Sequence, residues 1–210
     1  MRTDVPNGPS ATGQGLRIGG FTPFTATDYP GYLAAVVFCQ GCPWICSYCH
    51  NPHLLPANGP ETHDWADILT ILETRRGLLD AVVFSGGEPT LQQGLPTAIE
   101  TVRAMGFKVG LHSAGMYPER LASLLPLIDW IGLDVKALTQ AYPRITGVPG
   151  SGEKAWESVR LVVNSGVAHQ MRCTWSPVLF AEADLECIRH TLRILGAPEL
   201  DVQECRPTLA

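Results

Sequence analysis

The sequence has no apolar run approaching the roughly 18–20 residues that cross a bilayer, and no signal-peptide hydrophobic segment near its start. Both absences lead to the expectation of a cytoplasmic protein without membrane contact. Basic residues are few, 15 Lys and Arg against 20 Asp and Glu for a net charge of −5, and they form no cluster. A nucleic-acid surface is therefore not expected. The cysteine count is odd, at seven, which suits reduced thiols better than a disulfide framework. There is no internal repeat, and no low-complexity segment beyond an N-terminal tail. What remains is an ordinary globular composition, 45% hydrophobic and 17% charged, over 210 residues: enough for one sizeable α/β domain.

The most informative stretch is Cys39-Gln40-Gly41-Cys42-Pro43-Trp44-Ile45-Cys46-Ser47-Tyr48-Cys49-His50-Asn51-Pro52. It follows Leu33–Phe38, an apolar, β-branched run that reads as a buried strand, so the cysteines fall on a loop at a strand's C-terminal end. Thiolates gathered on one loop share a soft metal or an iron–sulfur cluster. Two readings stand side by side. Cys39-x2-Cys42 with Cys46-x2-Cys49 makes a four-thiolate structural zinc site. Cys42-x3-Cys46-x2-Cys49 alone makes three ligands for a 4Fe–4S cluster with one iron left open.

The rest of the chain alternates. Residues 1–16 are polar, Pro- and Gly-containing, and read as a flexible tail, with the folded domain over 17–210. Gly20–Gly31 reads as a short extended segment leading into the first core strand. Later strands are expected at Ala81–Phe84, Lys108–Leu111, Trp130–Lys136, His169–Ser176 and Leu200–Cys205. Between them, helical stripes run through Trp65, Ile68, Leu69 and Leu72; Ala98, Ile99, Val102 and Met105; Leu121, Leu124 and Leu125; Trp156, Val159 and Val163; and Leu185, Ile188, Leu192 and Leu195. Ala137–Gly152, rich in Gly, Pro and Thr, reads as a loop over the site. Cys173, Cys187 and Cys205 read as buried small hydrophobes. Six strand–helix alternations imply parallel strands with right-handed crossovers, two units short of a closed barrel: a partial, open (βα)6 barrel.

Polar residues collect where the strands end: Ser85-Gly86-Gly87-Glu88-Pro89, His112 and Ser113, Asp134 and Lys136, Arg172, and Gln203 with Arg206. Glycines at 86 and 87 allow close approach to a ligand amine, Lys136 and Arg172 suit a carboxylate, and Ser113 and Asp134 suit ribose hydroxyls. Trp44, Ile45 and Tyr48 suit the flanks of an adenine. An amino acid's amine and carboxylate can also chelate an open iron, and the whole inventory matches S-adenosylmethionine.

Cys42-x3-Cys46-x2-Cys49 after one strand and Gly86-Gly87-Glu88-Pro89 after the next resemble the radical S-adenosylmethionine superfamily, from about Gly20 to Pro207. Gly20-Phe21-x-Pro23-Phe24, Asp28-Tyr29-Pro30-Gly31, Gln40-Gly41-Cys42 and Tyr48–Pro52 are similar to one branch, the anaerobic ribonucleoside-triphosphate reductase activating proteins, relatives of the pyruvate formate-lyase activating enzymes. The resemblance implies Cys42, Cys46 and Cys49 as cluster ligands. It implies Gly86, Gly87, Asp134 and Lys136 as S-adenosylmethionine contacts, to which the reading of the residues adds Ser113, Arg172 and Glu88, and it leaves Cys39 outside the ligand set. It further implies reductive cleavage to a 5′-deoxyadenosyl radical that makes a glycyl radical on a partner, expected to be anaerobic ribonucleotide reductase, with an electron donor such as flavodoxin or ferredoxin. Relatives carry an acidic residue that helps bind a monovalent cation where this chain has His112, and an Asn where it has Ala114, so a cation site is not carried over and rearranged ribose contacts are expected. A small-molecule radical enzyme of the 7-carboxy-7-deazaguanine synthase kind should have polar groups deep in its barrel, whereas the inner strand positions here read as mostly apolar. A zinc-stabilised binding module is the alternative of another class.

Overall fold

The computed structural model describes residues 15–205; most of the expected tail, and the Arg206-Pro207 pair, lie outside the described residues. The fold begins slightly before the expected boundary. Leu16 is buried, and the Gly94 amide donates to the Gly15 carbonyl at 3.2 Å.

Seven strands form one sheet: β1 (Ile18–Thr25), β2 (Ala34–Cys39), β3 (Ala81–Gly86), β4 (Lys108–Ser113), β5 (Trp130–Asp134), β6 (Ala168–Trp175) and β7 (Asp201–Glu204). Their spatial order is their sequence order, with β2 to β7 parallel. The helices are α1 (Trp65–Glu73), α2 (Leu95–Ala104), α3 (Pro118–Leu124), α4 (Tyr142–Thr146), α5 (Ser151–Ser165) and α6 (Glu182–Ile194). Sequential winding of parallel strands, with β1 and β7 as unjoined edges among the described residues, gives the expected open α/β architecture.

Strand alternation divides the sheet into two faces. Ala35, Val37, Val82, Phe84, Val109, Leu111, Ile131 and Leu133 join the large core beneath the helices, where Ile68, Leu72, Ile99, Val102, Val159 and Ile188 meet them. The opposite face carries a smaller cluster of Ala34, Val36, Ala81, Val83 and Trp130, closed by Tyr29. Tyr29 stacks on Trp130 at 5.1 Å and meets Tyr32 edge-on at 4.8 Å. Following the same alternation upward places Phe38, Ser85, His112, Asp134 and Arg172 on that inner face, above the aromatic floor.

Four expectations are corrected. The segment from Gly20 is no mere lead-in: it lies in β1, which pairs antiparallel with β2 and adds a seventh strand. The stretch 137–152 contains α4 and the start of α5, because Tyr142 and Ile145 are buried and anchor a turn of helix there. Along α5 Val162 is the fully buried residue, and the expected Val163 packs only half-buried against the core. Cys187 is exposed and Cys205 half-buried, so only Cys173 of that trio is a core residue; Cys187 lies off the Leu185, Ile188 and Leu192 stripe of α6.

Trp156 fastens α5 to the chain just after β5, its indole N–H donating to the Ala137 carbonyl at 3.0 Å. Trp156→Phe keeps most of the ring but leaves that buried carbonyl unpaired. A stability loss of about 1–3 kcal/mol is expected in urea unfolding; an unchanged midpoint would show that the bond contributes nothing.

Candidate functional site

The cysteine loop is anchored at its base, supported from the side and packed against the next turn. At the base, buried Gln40 donates through Nε2 to the His53 (3.1 Å) and Pro56 (2.8 Å) carbonyls, while its own carbonyl accepts from Gln92 Nε2 at 2.6 Å. The Gly41 and Cys42 amides donate to the Leu54 and Leu55 carbonyls at 2.8 and 3.0 Å, closing a compact loop. From the side, the Ile45 and Ser47 amides donate to the Thr146 and Ile145 carbonyls of α4 at 2.9 and 3.1 Å, and Trp44 meets Tyr142 edge-on at 5.9 Å. The Gly, Pro and Thr of 137–152 thus hide a buttress for the cysteines rather than a free loop.

The glycine turn after β3 is the third restraint. The Gly87 amide donates to the Cys39 carbonyl and the Glu88 amide to the Gly41 carbonyl, both at 2.9 Å. A Cβ on Gly87 would lie 2.3 Å from the Gly41 carbonyl oxygen. One on Gly86, whose φ is +107°, would lie 2.5 Å from the Cys39 nitrogen. Sequence reasoning gave these glycines the task of admitting a ligand amine. Both do line the cavity, but the missing side chains are demanded by the backbone of the cysteine loop itself.

One cavity of about 210 Å³ collects nearly all the expected residues: Cys42, Cys46 and Cys49 with Trp44 and Tyr48, then Gly86, Gly87 and Ser113, and Asp134, Lys136 and Arg172. Three expected groups lie elsewhere, among them Gln203, which is exposed on β7 and does not line the cavity. Ile45 projects outward, 69% exposed. Glu88, expected among the cofactor contacts, is fully buried behind the wall. Its Oε1 accepts from the Thr90 amide (3.1 Å), Thr90 Oγ1 (2.6 Å) and Ser113 Oγ (2.8 Å), and its Oε2 from the Ala114 amide (3.0 Å). Burial raises its carboxyl above the usual range while those donors pull it back. It is an internal strut between the ends of β3 and β4. Ser113 donates its hydroxyl hydrogen bond to Glu88 and accepts from the Gly115 amide at 3.0 Å, so toward a ligand it offers only a lone pair.

Part of the cavity lining is ionic. Asp134 Oδ1 accepts from Arg172 Nε (3.1 Å) and Nη2 (2.9 Å), and Lys136 Nζ stands 3.5 Å from Oδ2. Burial alone would raise the Asp134 carboxyl; the Arg172 and Lys136 cations outweigh it and hold it below the ordinary value. Lys136 would be lowered by burial, but Tyr48 and Asp134 keep it well above its usual range, and its Nζ lies 5.6 Å from the Tyr48 ring centroid. Arg172, expected to clamp a carboxylate with its forked edge, has spent that edge on Asp134.

His112 was unassigned from sequence beyond its oddity. Its Nε2 stands between the Asp28 carbonyl, at 2.8 Å, and the Arg172 guanidinium, and its Nδ1 lies 3.3 Å from Ser85 Oγ. Arg172 Nη1 lies alongside at 3.2 Å. Burial first, and Arg172 second, lower the imidazole to about 4, so it is neutral at physiological pH. With Ser85, His112, Asp134 and Arg172 on the inner face, the expectation of a mostly apolar interior holds only for the floor below them.

The thiols fit a cluster better than a zinc ion. Cys39, the fourth ligand of the zinc reading, is 0% exposed in the core beneath the helices and does not reach the cavity. Among the described residues no three His, Cys, Asp or Glu side chains converge on one metal-ion position, whereas a cubane spreads its thiolates over separate irons. Burial pushes the Cys42 thiol up to about 12 and raises that of Cys46, so a bound metal must displace their protons. The Tyr48 hydroxyl on the same wall is buried without a partner among the described residues.

Two measurements test this geometry. Gly87→Ala must push the cysteine loop off its seat, and a loss of about 1–3 kcal/mol in urea unfolding is expected; wild-type stability would show the contact to be soft. His112 binds fewer protons folded than unfolded between about pH 4 and its ordinary 6.5, so stability falls as pH drops through that window. His112→Asn should flatten that fall, by roughly 2 kcal/mol between pH 7 and pH 4, and an unchanged pH profile would contradict the assignment.

A family model described as the radical SAM superfamily matches residues 36–195. The chain is 28% identical over 196 residues to a Methanocaldococcus jannaschii protein that carries the provisional name of a glycyl-radical enzyme activating enzyme, covering 84% of this chain and 75% of that one. It is 31% identical over 159 residues to the pyruvate formate-lyase-activating enzyme of Clostridium pasteurianum, covering 72% of this chain and 65% of that enzyme. In fold it is similar to Streptococcus suis SuiB bound to S-adenosylmethionine, with a TM-score of 0.65 at 11% identity over 81% of this chain and 40% of that one. No helix among the described residues is long and apolar enough to cross a membrane. The chain belongs to the radical SAM superfamily, whose members use a 4Fe–4S cluster and S-adenosylmethionine.

Proposed function

We propose that this protein is a glycyl-radical-enzyme activating enzyme, with anaerobic ribonucleoside-triphosphate reductase as the partner and a flavodoxin or ferredoxin as electron donor. The observation that carries the reading is the loop of three cavity-facing thiols, Cys42, Cys46 and Cys49, with the fourth, Cys39, turned into the core. Three thiolates leave one iron of a cubane to an outside ligand. Similarity to activating enzymes over most of the chain supports the partner class.

With its two cofactors bound, such a site would supply one-electron reductive cleavage of the sulfonium bond, the electron coming from the donor, to methionine and a 5′-deoxyadenosyl radical. The chain's own residues bind, orient and shield. Lys136, kept charged at the cavity wall, pairs with the methionyl carboxylate. The backbone at Gly86 and Gly87 meets the amine, and Asp134 Oδ2 and the Ser113 lone pair accept from ribose hydroxyls. Trp44 and Tyr48 exclude water from the thiolate side. The sheet's open side, between β1 and β7, admits a partner's glycine-bearing loop.

A second reading has one observation in its favour. The polar band of Ser85, His112 and Arg172 above the aromatic floor is the kind of wall that would hold a polar small-molecule ring, as in a 7-carboxy-7-deazaguanine synthase-like enzyme. Incubation of the reduced, cluster-loaded protein with an anaerobic ribonucleotide reductase separates the two. A glycyl-radical doublet in electron paramagnetic resonance is expected, and 5′-deoxyadenosine without any doublet would count against activation. Cys46→Ala should abolish 5′-deoxyadenosine formation and Cys39→Ala should leave most of it. Equal loss from both would mean that the ligands are misassigned.

A further inference from the structure

Asp134 is the one carboxylate among the residues lining the cavity, and its side chain is 38% exposed there. A ligand that fills the pocket strips water from such a carboxylate, which then needs an ion or a side chain as its partner. Here the pairing is built in. The Arg172 guanidinium, 17% exposed, donates twice to Oδ1, through Nε at 3.1 Å and Nη2 at 2.9 Å.

The seat of that guanidinium is specific. It lies over the middle of β5 at Gly132, where a Cβ would come within 2.8 Å of Arg172 Cζ and 3.0 Å of Nη1. Any other residue at 132 would lift the guanidinium from the strand. On its far side Nη1 abuts the His112 imidazole at 3.2 Å, so the guanidinium meets no second carboxylate there. The other cation, Lys136, stands farther off, at 3.5 Å from Oδ2, and leans toward the Tyr48 ring. Oδ1 is therefore saturated by one planar cation, while Oδ2 keeps capacity for a hydroxyl donor.

We infer that Arg172, seated on Gly132, is a resident cation that fixes the Asp134 carboxylate for ligand binding, so that this cavity needs no bound metal cation to hold S-adenosylmethionine. Arg172 is in this account a positioning residue: it acts on the ligand through Asp134. The inference rests on the reading that S-adenosylmethionine occupies this cavity. A side-chain cation offers fixed geometry and immunity to the ionic composition of the medium, which an exchangeable ion does not.

The test is the affinity of the cluster-loaded protein for S-adenosylmethionine, measured by titration calorimetry in potassium, sodium or tetramethylammonium chloride at one ionic strength. Wild type should bind equally in all three, within about twofold, while Arg172→Ala should bind about tenfold or more weakly in tetramethylammonium and recover part of the loss in potassium or sodium. Arg172→Lys, which keeps the charge, should remain indifferent to the salt. A wild type that tightens in potassium would overturn the inference, as would an Arg172→Ala protein equally weak in all three salts, or one as tight as wild type. If Arg172→Ala does not fold, wild type and Arg172→Lys decide: indifference in both supports a resident cation, and a potassium or sodium requirement in either refutes it. A wild type that binds no S-adenosylmethionine in any salt would sink the cavity reading as well, and is distinct from every outcome above.

Discussion

The site depends on a contact between two stretches of backbone. The turn after β3 lies against the start of the cysteine loop so closely that neither Gly86 nor Gly87 has room for a Cβ, and two amide-to-carbonyl bonds of 2.9 Å fasten the strands' ends together. Parallel pairing of Cys39 with Gly86 brings the two turns to the same height on the sheet. The loop that carries three thiols is thereby referenced to the rigid sheet, not left to its own stiffness. Gln40 from below and α4 from the side complete the restraint. A loop held on three sides can present several cysteines toward one cavity without a metal to organise it first.

Around that loop the charges are settled internally. Glu88 is spent on backbone and hydroxyl donors, Asp134 is paired with Arg172, and His112 is neutral. Lys136 is left as the cation near the thiols, where the Tyr48 ring and the Asp134 carboxylate hold it charged. The result is a cavity with one accessible carboxylate oxygen, one serine lone pair and a positive end. That pattern of complementarity suits a zwitterionic amino acid joined to a ribose. Such preorganisation matters most in a dry site, where an unpaired charge is expensive and a correctly placed one acts strongly.

Much of this was legible in the amino-acid sequence, for physical reasons that differ by element. Buried parallel strands announce themselves as apolar β-branched runs, and the helices as stripes of period 3.6, so Ala34–Cys39, Ala81–Gly86 and α6 fell close to where they were expected. Clustered cysteines with fixed spacing are likewise visible without coordinates. Side-chain partnerships are not. Whether Arg172 reaches a ligand or a neighbouring aspartate depends on β5 and β6 lying in register, with Asp134 opposite Arg172. Glu88 sits in a motif that reads as ligand-facing, yet its turn directs it backward into Thr90 and Ser113. The α4 buttress was missed because Gly and Pro at its edges mask a short helix held by two buried side chains. Gly132 was a usable signal: glycine inside a strand marks a close approach, and here it is the seat of a guanidinium.

The central claim is that three of these thiols hold a cubane whose remaining iron takes an outside ligand. It is tested most directly by reconstituting the protein without oxygen, measuring iron and sulfide, and recording the paramagnetic signal of the reduced cluster with and without S-adenosylmethionine. The account predicts iron and acid-labile sulfide in equal amounts, and a signal that changes shape when S-adenosylmethionine is added. Zinc without sulfide, or a cluster signal indifferent to S-adenosylmethionine, would contradict it.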